Sequence, residues 1–367
     1  MSPLKLPRLE SRALRYGYSN ARVRAMKGLL LKSAALDEMI RVGTIEGMVE
    51  LLQKTGYKND LSEASAMYRG STLIENAAAR NFSRNVRKLL RLTPQGDRVA
   101  VQALLIRWDL MNLKTLMHAK RAKKTYEEVR PYLVEVGGLT DDDFKRIMKA
   151  ESGVLMRELR RTELGQKMLS MGTGQLNRQM KDAFTSALRS LDTFMQMETV
   201  IDAYTYMFME HALAEVGGRE IGSIRHTLKK EIDAKNIMII ERLKKHNVPR
   251  DKIMGSLIQG GTLGSALLLK VAEAKDLQAV ITLVKPKFSA LELRGEGKVL
   301  LTDMEIALEK SLAAQKAVAF QQSMLSVGVM IGFLLLKEEE TNNLRKIAKG
   351  KEFNIPEAEV RGMLVIV

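Results

Sequence analysis

The stretch that decides the fold is Asp109-Leu-Met-Asn112-Leu113, which recurs as Asp233-Ala-Lys-Asn236-Ile237 and as Glu340-Thr-Asn-Asn343-Leu344. In each copy an acidic residue precedes an asparagine by three positions, and these two positions share one face of a helix. A carboxylate and an amide on a buried face need partners, such as the backbone of a neighbouring loop or a Lys or Arg side chain. Because three scattered copies suit an architectural role better than one active site, we predict that the six polar residues clamp helices. A binding role is the alternative.

A longer repeat accompanies this pattern. Apolar–acidic pairs occur at Ile74-Glu75, Leu191-Asp192 and Leu308-Glu309, and their acids are 117 residues apart in both intervals. This period is too long for a solenoid, whose units have roughly 20–50 residues. Glycine pairs also occur after the first two copies of the acid–asparagine pattern, at Gly137-Gly138 and Gly260-Gly261. We therefore predict three related domains with pseudo-threefold symmetry.

The predicted domain boundaries come from this period. Residues 74–190 form the first repeat domain, residues 191–307 the second and residues 308–367 the third. The third copy reaches the C-terminus before any glycine pair, whereas residues 1–73 resemble the second half of a repeat. We expect this N-terminal segment to complete the third repeat, so that the three units close into a ring.

Hydrophobic periodicity predicts an all-α fold. Between residues 81 and 92, apolar side chains fall on one helical face and arginines and lysines on the other, and Pro94 then interrupts the helix. Residues 266–284 have the same periodicity and are predicted to be helical. Strand-like alternation is confined to residues 363–367, which are too few to define a sheet.

The composition narrows the classes of protein further. The chain of 367 residues has 59 Lys and Arg against 43 Asp and Glu, a net charge of +16, and no cysteine. Without cysteine there is no disulfide scaffold, Cys-ligated metal or thiol nucleophile. The charge favours an anionic partner, either nucleic acid, an acidic protein surface or anionic lipid. The most apolar run, residues 327–336, is shorter than the roughly 20 residues that cross a bilayer, so we expect a buried helix.

No motif for catalysis or cofactor binding is present. The four histidines lack the spacing of a zinc site. The glycine-containing stretches 171–174 and 294–298 match neither a Walker loop nor a dinucleotide fingerprint, and are typical of turns. We therefore expect no catalytic residue, metal, cofactor or small-molecule substrate. An all-α enzyme with converging carboxylates in a deep pocket is the alternative.

Basic residues cluster between positions 12 and 32, 80 and 91, and 114 and 124. Nucleic-acid binding by a basic helical-repeat protein is therefore the alternative function, although such proteins usually add stacking aromatics, and the single tryptophan, Trp108, lies in an apolar helix. Two of the basic residues could instead form structural ion pairs within the bundle, namely Arg22 and Arg24. Our candidates for contact with an anionic partner are Arg12, Arg15, Arg22 and Arg24.

Two stretches near the ends of the chain resemble one known family. The first reads Tyr16-Gly-Tyr18-Ser-Asn-Ala21-Arg22-Val23-Arg24-Ala25-Met26-Lys27, and the second reads Ile331-Gly-Phe333-Leu334-Leu335-Leu336-Lys337-Glu338-Glu339-Glu340-Thr-Asn-Asn343-Leu344-Arg345. Together with the internal acid–asparagine copies, they make the chain similar to the C subunit of the archaeal A-type ATP synthase, a family that includes the d subunit of the V-type ATPase. The resemblance extends from about residue 14 to Val367.

This resemblance implies a funnel of three helical domains around a central hollow. It implies a non-catalytic central-stalk subunit, a socket between the membrane proteolipid rotor ring and the central shaft subunits, which passes torque between ion translocation and ATP synthesis or hydrolysis. The expected location is peripheral, at the cytoplasmic face of the cell membrane. No nucleic-acid partner is expected from the resemblance.

Overall fold

The computed structural model describes residues 8–151, 154–170, 194–216, 219–288, 291, 299–322 and 324–365. Every regular element in this part of the chain is a helix, which confirms the predicted all-α class. Short 3-10 helices lie at Gln95–Asp97, Arg130–Tyr132 and Lys285–Lys287. The α-helices of the described residues are α1 (Arg8–Lys27), α2 (Ser33–Arg41), α3 (Ile45–Gln53), α4 (Lys58–Ala64), α5 (Gly70–Leu92), α6 (Arg98–Arg121), α7 (Tyr126–Val129), α8 (Asp141–Lys149), α9 (Leu155–Arg160), α10 (Glu163–Ser170), α11 (Phe194–Val216), α12 (Arg219–Lys245), α13 (Arg250–Gly255), α14 (Ser265–Glu273), α15 (Leu277–Val284), α16 (Leu301–Gln322), α17 (Val327–Glu352) and α18 (Glu357–Met363).

The chain forms two compact units. The first contains Met1–Gln102, Val216–Ile224 and Ala313–Val367, and the second contains Ala103–Glu215 and Arg225–Leu312. Among the described helices, none combines the length and the apolar character that crossing a bilayer requires. The division into three domains stays a prediction, with boundaries at residues 74, 191 and 308. The arrangement of these domains as a funnel also stays a prediction.

Helix α17 forms the centre of the first unit and packs against α5 and α1. Its first half contains the apolar run 327–336, and Met330 and Phe333 there are at most 1% exposed, which confirms the expected buried helix. The helix begins where the Ser326 side chain accepts a hydrogen bond from the Gly328 N–H at 3.2 Å. Burial of one large apolar side chain contributes about 1.5–3 kcal/mol, so packing holds this helix in place.

The second unit has its own apolar core, in which α12 packs on the shorter helices that come after it. Ile237 and Ile240 of α12 lie in one cluster with Val271 of α14 and Val280 of α15. The single helical stretch predicted for residues 266–284 is wrong, because these residues form two helices. The carboxylate of Asp276 accepts a hydrogen bond from the Ala279 N–H at 2.8 Å and so caps a new helix.

Three long helices, α6, α12 and α17, end in the same turn. Just beyond each helix one residue has positive φ: Lys123 at 54°, Asn247 at 55° and Asn354 at 53°. The next N–H then reaches back to a carbonyl of the last turn, as in the 2.9 Å bond from Lys124 N–H to the Ala119 carbonyl. This is the 6→1 bond of a Schellman ending. The corresponding bonds start at Val248 and Ile355, with lengths of 3.1 and 2.8 Å.

Candidate functional site

The first acid–asparagine copy, on α6, holds a downstream loop by its backbone. The Asn112 amide donates to the Val134 carbonyl at 2.7 Å and accepts from the Val134 N–H at 3.0 Å. The two oxygens of Asp109 accept from the N–H groups of Gly138 and Leu139, at 2.6 and 3.1 Å. Both side chains are at most 1% exposed. Each therefore exchanges water for fixed peptide partners, as burial of polar groups requires.

The second copy, on α12, repeats this arrangement at the same sequence separations. The Asn236 amide donates to and accepts from Ile258, 22 residues downstream, with both bonds 2.8 Å long. Asp233, which is fully buried, accepts from the N–H groups of Thr262 and Leu263 at 2.8 and 2.9 Å. The intervals of 22, 29 and 30 residues are identical in the two copies.

The third copy, on α17, uses partners from two distant parts of the chain. The Asn343 amide bonds the peptide of Val365, again 22 residues downstream, at 2.7 and 3.0 Å. Glu340 instead accepts from the N–H of Leu31, 309 residues upstream, at 2.5 Å. It also accepts from the Tyr57 hydroxyl at 2.5 Å. The N-terminal segment thus supplies the N–H that the two earlier copies take from their own loop.

One glycine in each of the first two loops is required by the close approach of the carboxylate. A Cβ added at Gly137 would lie 2.2 Å from an Asp109 oxygen, and one added at Gly261 would lie 2.2 Å from an Asp233 oxygen. No real Cβ tolerates such a contact. The equivalent glycines are therefore Gly137 and Gly261, the first of one pair and the second of the other.

A lysine in every copy completes the arrangement, although the sequence prediction did not include it. The ammonium of Lys120 donates to the carbonyls of Met148 and Ala150 at 2.8 and 2.5 Å, at the C-terminal end of α8. Cations stabilise this end of a helix, where carbonyls lack partners. The other two lysines do the same: Lys244 contacts the carbonyls of Val271 and Ala274 at the C-terminal end of α14, and Lys351 those of Ile40 and Val42 at the C-terminal end of α2.

The signal for these lysines was present in the sequence. Each one lies eight positions after the asparagine of its copy, two helical turns along the same helix. Burial lowers the pKa of Lys120 and Lys351. We refer to acid, asparagine, lysine and the peptide groups they hold as a clamp; the three clamps are centred on Asn112, Asn236 and Asn343.

The third clamp contains additional buried charge. The ammonium of Lys337 bonds the Glu340 carboxylate, and also donates to the Tyr57 hydroxyl at 2.9 Å. Burial raises the pKa of Tyr57 well above its usual value, and the neighbouring Glu340 raises it further. Burial also lowers the pKa of Lys337, against the opposing effect of Glu340. Both carboxylate oxygens of Glu340 therefore already accept hydrogen bonds from the chain itself.

The basic candidates Arg12, Arg15, Arg22 and Arg24 all lie on exposed positions of α1. Arg15 donates to Asp97 at 2.8 Å, and Tyr16 donates to the same carboxylate at 2.7 Å. The Arg22 side chain forms no hydrogen bond or ion pair with any residue that the structure describes. The four residues therefore lie on one helix, and Arg24 lines the same cavity as Glu340 and Asn343 of the third clamp.

Three sequence features lie outside the described residues, namely the predicted turns at 171–174 and 294–298 and the repeat pair at Leu191-Asp192. Within the described residues, no cluster of three or more His, Asp or Glu side chains has the arrangement of a metal site. The polar groups of the clamps bind peptide groups of the chain itself. What they can do chemically is fix loops and helix ends, which is the work of a helical scaffold.

Comparison with known proteins gives this scaffold a family. The family model for the ATP synthase (C/AC39) subunit matches residues 19–363, and the chain belongs to this family. Its members are structural and not catalytic subunits. The resemblance seen in the two terminal stretches is thereby confirmed.

Relatives along the full chain include archaeal and bacterial proteins. The C subunit of the A-type ATP synthase of Methanosarcina mazei is 26% identical over 361 residues, which cover 96% of this chain and 93% of that protein. The C subunit of the A-type enzyme of Thermoplasma acidophilum is 24% identical and covers 95% and 97%. The C subunit of the V-type ATP synthase of Deinococcus radiodurans is 22% identical and covers 94% and 90%.

Proposed function

We propose that this chain is the central-stalk socket of a rotary A/V-type ATP synthase. It couples the membrane proteolipid rotor ring to the central shaft subunits, so that torque passes between ion translocation and ATP synthesis or hydrolysis. The family match over residues 19–363 supports membership in such a complex. The single observation that carries the coupling role is the set of three clamps, which hold loops with buried asparagines and acids and helix ends with lysines.

A body that transmits torque must deform little under load. In each clamp the acid and the asparagine are at most 5% exposed, and breaking a hydrogen bond of such a buried group leaves it unsatisfied at about 1–3 kcal/mol. The close-packed surroundings resist compression. These properties suit an adaptor between rotating parts better than they suit a protein that opens around a ligand.

We also propose the division into three repeat domains, with residues 1–73 completing the third. The support comes from the third clamp, because Glu340 takes its N–H partner from Leu31. The lysine of this clamp, Lys351, caps α2, just as Lys120 caps α8. The N-terminal segment therefore supplies the third clamp with the same partners that a loop and a helix further along the chain supply to the first clamp.

The proposed socket is peripheral to the cytoplasmic face of the membrane and needs no cofactor of its own. Nucleic-acid binding is the weaker candidate, because several side chains of the basic clusters are already paired with acids. Arg80 pairs with Glu63 at 2.8 Å and Arg84 with Asp60 at 2.6 Å. Paired guanidinium groups contribute less to binding phosphates.

The proposal is tested by isolating the complex through an affinity tag on this chain, after mild detergent extraction of membranes. Proteolipid and shaft subunits should co-purify. In membrane vesicles from cells that lack the chain, ATP hydrolysis by the remaining catalytic subunits should persist while ATP-driven ion pumping is lost. A tagged chain that leaves the membrane alone, or vesicles that pump ions without it, would contradict the proposal.

A matched pair of variants tests the coupling role more sharply. Asn343 holds the Val365 peptide, whereas its neighbour Asn342 is half-buried and forms none of the clamp bonds. We expect the complex with Asn343→Ala to pump fewer ions per ATP hydrolysed than the complex with Asn342→Ala, at equal subunit content. If both variants pump the same number of ions per ATP hydrolysed, the third clamp does not contribute to coupling.

A further inference from the structure

Helix α1 exposes an apolar stripe that no described residue covers. Leu14 is 78% exposed and Tyr18 is 73% exposed. Ala21 and Ala25 are exposed further along the helix. A Cβ placed on Gly17, beside the stripe, would meet nothing within 4 Å, so the surface there is open. Single exposed apolar side chains are common on proteins, but apolar side chains that adjoin one another, as Leu14 and Tyr18 do one helical turn apart, are typical of a surface that a partner covers.

The opposite face of α1 is fixed against the first unit, so the stripe cannot simply turn inward. Val23 and Met26 are buried in that unit. The Asn20 amide donates to the Ser326 carbonyl at 3.3 Å and accepts from the Ser326 N–H at 3.2 Å, at the start of α17. These contacts set the rotation of α1 about its axis and leave the stripe facing outward.

The spacing of the stripe is that of a helix–helix seam. Leu14, Tyr18, Ala21 and Ala25 succeed one another at intervals of four, three and four residues, as the a and d positions of a heptad do. Arginines occupy the flanking e and g positions at Arg15, Arg22 and Arg24. In two-helix packings these flanking charges determine which partner is accepted.

The charge of the seam determines the partner. Between residues 12 and 32 the chain has no Asp or Glu. A second copy of this chain would set arginine against arginine in either orientation, which disfavours a homodimer. A membrane-lying helix has a broad apolar face with several large residues, whereas two of the four positions here are alanine. Small residues instead allow the backbone of a second helix to approach closely.

We propose that the α1 stripe is a docking seam for an acidic amphipathic helix of another subunit in the same complex. This inference rests on the proposed function in one respect, because the partner is taken from that complex. The partner helix has apolar residues at heptad spacing, flanked by Asp or Glu that face Arg22 and Arg24. Arg15 contributes to the seam edge while it remains bonded to Asp97.

The lack of cysteine in this chain allows a direct test. Ala21→Cys carries a short-arm photoreactive label in the complex purified from membranes, and Ala13→Cys, exposed on α1 but off the stripe, is the matched control. We expect Ala21→Cys to cross-link to an acidic heptad segment of another subunit, at a yield at least about five-fold above the control. Labelling of lipid, of nucleic acid, of the chain itself or of nothing would overturn the proposal.

The charge of the seam is tested separately with Arg22, whose side chain is exposed. Arg22→Glu should lower the cross-linking yield by about ten-fold, whereas Arg22→Lys should retain most of it, since flanking charges select the partner. Equal yields for the two variants would overturn the proposed acidic partner. If the unlabelled chain fails to purify with any subunit, the proposed function fails; if the complex is intact and the label marks lipid, only the seam fails.

Discussion

The clamp residues illustrate how much a buried amide can specify at one position. Asn112, Asn236 and Asn343 each exchange two hydrogen bonds with a single peptide unit, so donor and acceptor are both satisfied. Aspartate could not donate, and leucine would leave the N–H and carbonyl of that peptide unpaired. These positions therefore require asparagine for its hydrogen-bond donor and acceptor, and not for its size.

We expect Asn343→Ala to lower the free energy of unfolding by about 2–4 kcal/mol, because the Val365 N–H and carbonyl both lose their partners. Urea denaturation of the purified chain measures this loss. Asn342→Ala is the control, and its effect should stay within about 0.5 kcal/mol. Equal losses for the two variants would contradict the clamp.

A second residue-scale prediction concerns the glycine that faces Asp109. Gly137→Ala places a Cβ 2.2 Å from the carboxylate, so the loop must move and the variant should lose about 1–3 kcal/mol of stability. Gly222→Ala is the control, because its Cβ would meet nothing and alanine favours the helix by about 0.5–1 kcal/mol. Thermal melts should shift in opposite directions, and a common direction would refute the steric argument.

The third clamp also predicts a pH dependence. Tyr57→Phe removes a hydrogen bond to the charged Glu340 and should cost about 1.5–3 kcal/mol at pH 8. Because the pKa of Tyr57 is raised by folding, the unfolded chain loses its proton first, and wild-type stability falls as the pH rises above about 10. The phenylalanine variant lacks this loss. The difference in unfolding free energy between the two proteins should shrink above pH 10, and a constant difference would contradict the assignment.

At the scale of elements, the repeated unit is a long helix that ends in a left-handed turn and then holds the loop and helix end downstream of it. Two of the three turns place asparagine at the positive-φ position, where its short polar side chain is tolerated. The third places lysine there, at Lys123, whose side chain is exposed. The same turn is therefore built with a less suitable residue in the first copy.

We expect Lys123→Asn to stabilise the protein by about 0.5–1 kcal/mol, because asparagine adopts this backbone conformation at lower cost. Differential scanning calorimetry should show a higher Tm. Ala122→Asn, one position earlier in the same turn, is the control and should lower the Tm or leave it unchanged. A rise for Ala122→Asn alone would show that the turn is not what limits stability.

Some structural features could be predicted from the sequence and others could not. The shared helical face of each acid and asparagine could be predicted from their spacing, and the buried helix at 327–336 from its apolar composition. The peptides that the clamps hold could not be read, because backbone N–H and carbonyl groups are the same at every residue. The sequence did not predict the helix break at Asp276, because the apolar periodicity continues across it. It did not predict the apolar stripe of α1 either, because the exposure of that stripe depends on which face of α1 packs against α17.

At the scale of the whole molecule, the third clamp connects residues from the beginning and the end of the sequence. Removing residues 1–32 would take away the Leu31 N–H and leave Glu340 with fewer donors in a buried position. We expect α17 to exchange its amide hydrogens at least about ten-fold faster in that truncated chain. Amides around Asn236, whose clamp holds backbone groups between residues 258 and 274, serve as the internal control and should be unaffected.

The sequence separation of 309 positions from Leu31 to Glu340 also has a consequence for biosynthesis. At about 5–20 residues per second, the ribosome needs about 15–60 s to deliver Glu340 after Leu31 has been made. During that interval the apolar side chains of α2 and α3, such as Met39 and Met48, wait without α17 to cover them. The nascent N-terminal segment therefore exposes apolar surface until α17 has been made, and we expect a chaperone to bind it during that interval.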